Sequence, residues 1–380
     1  MPRFACNEDL RRAARRRVPK MFYDYVDGGS WTESTYRANA GDLADIKLRQ
    51  RVARDVSTRT AKGRMVGQDV RMPVAMAPTG LTGMFWPNGE VHAMRACEEF
   101  GVPYCLSTVS IASLEEVAQH ATSPFWFQLY VIRDRDFIER LLQRCEAVGI
   151  DTIVLTLDLQ MVGQRNKDIH NGLSSPPAPT LRNLLNLATK PQWCWDMLRH
   201  RQMQFGNIHG HVADVGSSKT LAKWTDSQFD PTLNWDDVKY FRDRWKGKLI
   251  LKGIIDPEDT ELACQTGCDA IVVSNHGGRQ LDGAASTIHA LPSVVEAAKA
   301  RTEILIDGGF TSGQDVFKGL AYGASGVMMG RSMLYGLGAA KQAGVVKALD
   351  LIKHELETTM GLCGVNRIEE IGRHNILAVA

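Results

Sequence analysis

Eight short apolar runs recur along this chain, most of them closing on a polar residue or a glycine. They are Pro73–Ala77, Tyr104–Ser107, Trp126–Tyr130, Thr152–Asp158, Leu249–Lys252, Ala270–Asn275, Glu303–Asp307 and Gly326–Gly330. No other feature restricts the fold as much. Runs of this length without strict alternation suit parallel strands buried on both faces. Segments with helical spacing lie between most of them, such as Leu114–Val117 and Trp235–Trp245. Gly149, Gly267 and Gly323 stand where helices should end, each shortly before the next run.

Eight β/α units can close into a barrel or lie open as a doubly wound sheet. An open sheet that binds a dinucleotide usually carries G-x-G-x-x-G after its first strand. The sequence has none, and no G-x-x-x-x-G-K-[ST] either. The expectation is therefore an α/β protein with a (β/α)8 barrel. In a barrel the strand C-termini converge on one face, where the active site is built. That face would collect Thr79, Ser107, Tyr130, Asp158, Lys252, Asn275, His276, Asp307, Gly330 and Arg331. A purely structural surface has no need of so many polar groups.

Composition narrows the function. The length of 380 residues is within the range of one barrel, and 44% hydrophobic with 23% charged residues is a globular balance. A formal net charge of +2 gives no field that argues for nucleic acid. No apolar run reaches the roughly 18 residues of a membrane-spanning helix. The basic cluster at Arg11–Arg12 and Arg15–Arg17 is not followed by an apolar stretch, so a signal peptide is not expected. Eight scattered cysteines show no disulfide or metal spacing, and free thiols in a reducing compartment are expected, with no metal ligand assigned.

One connection breaks the rhythm. About 90 residues separate Asp158 from Leu249, against roughly 20–30 in the other units. The stretch contains Ser174–Pro179 and is rich in bulk: Leu181, Leu184, Leu185, Trp193, Trp195, Met197, Leu198, Met203 and Phe205. Arg182, Lys190, Arg199 and Arg201 are interleaved with these residues. Such an insertion on the catalytic side is expected to be a lid or an interfacial surface that lies on anionic headgroups. The alternative is packing against the barrel or a second subunit.

Two constellations carry chemistry. Asp307-Gly308-Gly309 and Gly330-Arg331 end the seventh and eighth runs, where barrels commonly hold phosphate on backbone N–H groups and a helix N-terminus. Lys252 would point into the same mouth. Ser274-Asn275-His276-Gly277-Gly278-Arg279-Gln280-Leu281-Asp282 puts a histidine and an arginine on one glycine-bearing loop. A histidine can take or return a proton near neutral pH, and an arginine fork can clamp a carboxylate. Asp158, across the mouth, is the natural carboxylate to orient the imidazole.

With these motifs the chain resembles the FMN-dependent L-2-hydroxy acid oxidase/dehydrogenase family, from about Pro19 onward. The unbroken Ser274–Asp282 motif is accompanied by Pro19–Tyr25, Ala77-Pro78-Thr79-Gly80, Phe127–Tyr130, Leu157-Asp158, Lys252-Gly253 and Asp307-Gly308-Gly309. The resemblance implies a flavin-binding TIM barrel with a long insertion after strand 4. Residues 1–380 would form a single domain, with 1–70 as an N-terminal cap and 159–234 as the lid or membrane-facing insertion. The likeness extends to bacterial membrane-associated L-lactate dehydrogenases, through Leu106–Ser110, Lys252-Gly253-Ile254, Pro191-Gln192-Trp193 and Phe229-Asp230-Pro231. Bacterial mandelate dehydrogenases come second.

The resemblance implies His276 as the base and Asp158 as its partner, with Arg279 and Tyr25 on the substrate carboxylate. Tyr130 would bond the substrate hydroxyl, Arg165 would be a second cation, and Lys252 would stand by the reduced flavin. Thr79, Gly80, Ser107, Gln128, Thr156 and Ser274 would line the ring and ribityl. Asp307, Gly308, Gly309, Gly330 and Arg331 would surround the ribityl and phosphate. Thr311 stands where many relatives have arginine, which leaves Arg331 more of the phosphate to hold. The implied activity is oxidation of an L-2-hydroxy acid, favouring L-lactate to pyruvate. With no haem domain ahead of the barrel, electrons are expected to go to a membrane quinone or similar external acceptor. The implied protein is a tetramer peripheral to the cytoplasmic side of the inner membrane. The competing readings are an O2-using oxidase, a mandelate dehydrogenase and a non-catalytic flavin-binding module. The intact set of His276, Arg279, Asp158, Tyr25 and Tyr130 speaks against the last.

Overall fold

The structure is a computed structural model that describes residues 4–173, 180–200, 203–210 and 229–377. Eight strands form one sheet: β1 (Val74–Met76), β2 (Cys105–Ser107), β3 (Trp126–Tyr130), β4 (Thr152–Thr156), β5 (Lys248–Ile254), β6 (Ala270–Val273), β7 (Glu303–Ile306) and β8 (Gly326–Met329). From β2 to β8 each strand pairs in parallel with the next, and β8 pairs with β1. The ring closes through a parallel bridge between Met76 and Tyr104, where Met76 N–H donates to Pro103 O at 2.9 Å. This is the (β/α)8 barrel that the eight runs predict.

Strand alternation sorts the side chains. Ala75, Cys105, Trp126, Val154, Ile250, Val272, Leu305 and Met328 fill the barrel interior, while Phe127, Leu129, Ile153, Leu155, Leu251, Ile271 and Ile306 belong to the core shared with the helices. Because inward positions recur every second residue, the next inward layer is Ser107, Gln128, Thr156, Lys252, Ser274 and Asp307. One sequence parity thus delivers an apolar plug and a polar floor above it. The predicted ends at Asp158, Asn275, Asp307 and Gly330 lie just past the hydrogen-bonded ladders, on the loops of the mouth.

The opposite end is closed. A hairpin of Gly63–Met65 with Gln68–Val70 inserts Met65, Val66 and Val70 into the interior cluster. Val66 N–H donates to both oxygens of Glu303 at 3.0 and 2.9 Å, and Lys248 bonds Val66 O. Among the described residues this hairpin plugs the barrel at that end, and the cavity opens at the mouth. Three helices that precede the barrel, Asn7–Arg17, Lys20–Val26 and Ser34–Asp45, supply residues to that mouth.

Among its described residues the insertion includes the helices Asn166–His170, Leu181–Ala188 and Pro191–His200. Its apolar bulk is divided between two faces. Trp193 and Met197, one turn apart, are buried, as is Phe205. The Trp193 ring stacks on Phe22 at 5.4 Å, and its Nε1 donates to Phe85 O at 3.2 Å. Burying such a ring contributes on the order of 2–3 kcal/mol. These three residues are core, as in the alternative of packing against the barrel, and do not belong to an interfacial surface. Leu181, Leu184, Leu185, Trp195, Leu198 and Met203 do face outward, from 49% exposed at Met203 to 74% at Leu181. Ser174–Pro179 and Arg201 lie outside the described residues.

Candidate active site

The loop after β6 turns through three consecutive left-handed residues: His276 at φ 58°, Gly277 at 65° and Gly278 at 72°. A histidine in this region is strained, and the surroundings hold it there. Asn275 Oδ1 accepts Gly278 N–H at 3.0 Å, the Asn275 and Asn39 amides bond reciprocally at 2.8 and 2.9 Å, and His276 N–H donates to Ser274 Oγ at 3.1 Å. The turn aims the imidazole into the mouth. Its Nδ1 lies 2.9 Å from Asp158 Oδ1, and its Nε2 lies 3.4 Å from the Tyr130 hydroxyl. Asp158 reaches this position because residue 253 is glycine, at φ 107°: a Cβ there would sit 2.7 Å from Asp158 Cγ.

Electrostatics suit a base. Burial, Lys252 and Arg165 depress the His276 pKa against the opposing pull of Asp158. The resting imidazole is therefore neutral. With Nδ1–H donated to the carboxylate, Nε2 carries the lone pair. Asp158 is buried, which would raise its pKa, but its interaction with His276, including the hydrogen bond at 2.9 Å, and the charge of Lys252 hold it below the usual carboxylate range. Lys252 is buried too. Asp307, 3.1 Å away, and Asp158 more than offset that burial and keep it an ammonium, and it donates to Ser274 Oγ at 2.8 Å.

A cationic cluster shares the cavity. The Tyr25 ring has Arg279 over it at 4.6 Å and Arg165 at 5.8 Å. Arg279 is tethered to the carbonyls of Tyr25 and Gly28, the latter at 3.2 Å. Burial and the neighbouring Arg165 push its pKa down to about 10, so it stays charged at neutral pH. Tyr130 packs edge-on against Phe229 from the insertion at 5.4 Å, and burial raises its pKa well above ordinary, so its hydroxyl keeps its proton.

These groups line a cavity of about 1180 Å³ whose walls also include Thr79, Gly80, Thr156, Asp307, Gly308, Gly309, Gly330 and Arg331. Gln128 and Ser107 stand behind them, joined at 3.0 Å. At the far end Gly308 and Gly309 adopt φ 90° and 87°, and a Cβ on Gly309 would come within 2.4 Å of Asn39 O. Ser332 Oγ donates to Phe310 O at 3.0 Å and ties the β7 and β8 loops together. Arg331 is less free than expected, since it donates to Val26 O, Gly28 O and Gly277 O at 2.9, 2.7 and 2.9 Å. The Thr311 hydroxyl is engaged by Asp315 at 3.2 Å.

The segment Asp27–Ser30 was not anticipated. Asp27 accepts from Arg11 at 3.0 Å and from the Tyr335 hydroxyl at 2.7 Å, Lys167 holds its carbonyl at 2.9 Å, and Ser30 N–H donates to Gly278 O at 2.9 Å. The Asp-Gly-Gly-Ser run signals a turn in the sequence, but its neighbours are distant along the chain.

The FMN-dependent dehydrogenase family model matches residues 14–378. The chain belongs to the FMN-dependent dehydrogenase family. It is 46% identical over 371 residues to the L-lactate dehydrogenase of Caulobacter sp. (strain K31), covering 97% of each chain. It is 44% identical over 376 residues to that of Stenotrophomonas maltophilia (strain K279a), covering 99% of each. Its fold is similar to the solved structure of the monotopic membrane protein (S)-mandelate dehydrogenase, with TM-score 0.91, 34% identity, and 98% of this chain and 99% of that one covered. It is also similar to mandelate oxidase, with TM-score 0.83, 35% identity, and 97% and 96% covered.

FMN is the cofactor of this dehydrogenase, and the cavity fits it. Gln128 Nε2, Thr156 Oγ1 and Asp307 Oδ1 are buried without a hydrogen-bond partner among the described residues. Buried polar atoms are normally paired, so this row of donors and acceptors at the barrel mouth suits a polar, ring-bearing ligand.

Proposed function

We propose that this FMN-dependent dehydrogenase oxidises the α-carbon of an L-2-hydroxy acid, with L-lactate as the leading substrate and pyruvate as product. Electrons then pass to a membrane quinone. The observation that carries the reading is the neutral His276, backed by Asp158 at 2.9 Å, in one cavity with Arg279, Arg165 and Tyr25. A proton acceptor beside a carboxylate clamp is what a 2-hydroxy acid requires. The relatives that are L-lactate dehydrogenases and mandelate-oxidising enzymes support the same substrate class.

In this reading Arg279 and Tyr25 hold the carboxylate, with Arg165 adding charge, and Tyr130 donates to the substrate oxygen. His276 Nε2 takes the released proton, and Asp158 stabilises the imidazolium that forms. Thr79, Gly80, Ser107, Gln128, Thr156 and Ser274 would hold the flavin ring and ribityl. Asp307, Gly308, Gly309, Gly330 and Arg331 would hold the ribityl and phosphate. When bound, FMN supplies the two-electron acceptor. Lys252 places a fixed positive charge where reduction delivers negative charge.

Among the described residues no helix is long and apolar enough to cross a membrane. The outward leucines of the insertion, with exposed Arg182 and Arg199, support peripheral attachment to an anionic bilayer at the cytoplasmic side of the inner membrane. Anaerobic mixing with a panel of hydroxy acids tests the function. L-Lactate should bleach the flavin, and a soluble quinone should restore its colour faster than air does. Absence of bleaching by every 2-hydroxy acid would refute the reading, and bleaching by mandelate alone would reassign the substrate.

A further inference from the structure

We infer that the cavity holds a second, apolar binding site, which takes the ring of a prenylated quinone beside Gly80. The inference rests on the quinone reading above and names where that acceptor enters. Gly80 marks a boundary: a Cβ there would meet Val109 Cγ2 at 2.7 Å on one side and the Tyr25 hydroxyl at 3.4 Å on the other. Toward Tyr25 the walls are the charged clamp. The lining also includes the apolar Leu81, Met84, Val109, Leu173, Met203 and Phe205, none of them titratable.

Backbone contacts make this lining continuous. Leu81 N–H donates to Val109 O at 3.1 Å, and Gly206 N–H lies 3.2 Å from both Ser110 O and Ile111 O, which brings Phe205 against the same turn. Met203 is 49% exposed and carries the strip to the surface, where Leu198 is 66% exposed. Among the described residues, apolar side chains therefore extend from the cavity wall to the outer face of the insertion.

The chemistry of this wall selects its occupant. A small hydroxy acid is a carboxylate with a hydroxyl and gains nothing from six apolar side chains. A charged acceptor would be desolvated along the strip without a partner. A prenylated quinone matches it, with a flat ring, two carbonyls and a hydrocarbon tail. The cavity volume of about 1180 Å³ is above the usual range for a single ligand, about 300–1,000 Å³, and suits more than one occupant. The reaction balances: oxidising one CH–OH to C=O releases two electrons and two protons, and one quinone takes both pairs to become the hydroquinone.

The test uses the full-length holoenzyme in detergent, without membranes, so that bilayer attachment plays no part. Wild type, Met203→Glu and Met203→Leu are compared with a short-tail ubiquinone and with ferricyanide as acceptors. Met203→Glu should raise the KM for the ubiquinone at least tenfold, and Met203→Leu should restore it. Bleaching by L-lactate and turnover with ferricyanide should stay at wild-type rates in both. An azido-ubiquinone photolabel should attach to the peptide that contains Met203 and Phe205. A wild type that reduces ubiquinone, paired with a Met203→Glu that does so with unchanged KM, overturns the apolar site and leaves the acceptor reading standing. A wild type that reduces no quinone overturns both.

Discussion

His276 is held in a left-handed backbone conformation at φ 58°, a strain that places Nε2 in the cavity with Asp158 behind it. Replacing it with glutamine should lower the rate of flavin reduction by substrate by at least about 10²–10⁴-fold, the range of acid–base groups, while the protein stays yellow. Stopped-flow absorbance measures this directly. The depressed pKa fixes the sign of the pH dependence. As pH falls through it the imidazole is protonated and the base is lost, so kcat/KM should decline only below the ordinary histidine value of 6.5. Asp158→Asn removes the one charge that raises this pKa, so its acid limb should move to still lower pH as the maximal rate drops. Arg279→Lys keeps a cation but gives up the planar fork and its tethers to Tyr25 and Gly28. Its KM for L-lactate should rise roughly 10-fold or more, in line with the loss of a charge-assisted hydrogen bond of about 1.5–3 kcal/mol.

At the scale of elements, the catalytic loop is anchored by the residue that ends its motif. Asp282 accepts from Thr32 N–H at 2.9 Å, Ser34 Oγ at 2.7 Å and Thr35 N–H at 3.0 Å, tying the loop after β6 to the start of the helix Ser34–Asp45. Partial burial would raise the Asp282 pKa, but these bonds hold it well below the usual range. A carboxylate depressed in the folded state stabilises above its unfolded pKa, and the contribution is lost as pH falls through the folded value. Asp282→Ala should therefore lower Tm at neutral pH. The gap from wild type should narrow once pH drops below about 4, as thermal scans at several pH values will show.

For the whole molecule, the two-faced insertion decides how membrane attachment should be tested. Deleting Pro179–Phe205 would strip away the buried Trp193, Met197 and Phe205 and unsettle the barrel wall. Changing the outward residues leaves that packing intact. Leu185→Glu combined with Leu198→Glu should abolish cosedimentation with anionic vesicles at low salt while flavin reduction by L-lactate continues at the wild-type rate. If the double variant sediments as wild type does, the insertion is a lid and not an anchor.

The sequence by itself determined the barrel. Eight buried runs separated by helical segments have one closed arrangement, and the two-residue period of a strand then forces Gln128, Thr156, Lys252, Ser274 and Asp307 onto a common inner layer. Proximity of His276 to Asp158 followed from the same period, because both stand just past strand ends on one face. The tertiary structure alone decided what depends on contacts between distant segments. That Trp193 packs on Phe22 while Trp195 faces out turns on the direction of one helix face, and both residues read alike as bulk. That Asp27, Asn39 and Asp282 brace the site depends on the N-terminal helices reaching the mouth, since a carboxylate or amide shows its purpose only once its donors are beside it. Arg331, a free phosphate ligand by its position in the sequence, is drawn to three carbonyls because folding brings Val26, Gly28 and Gly277 within its reach.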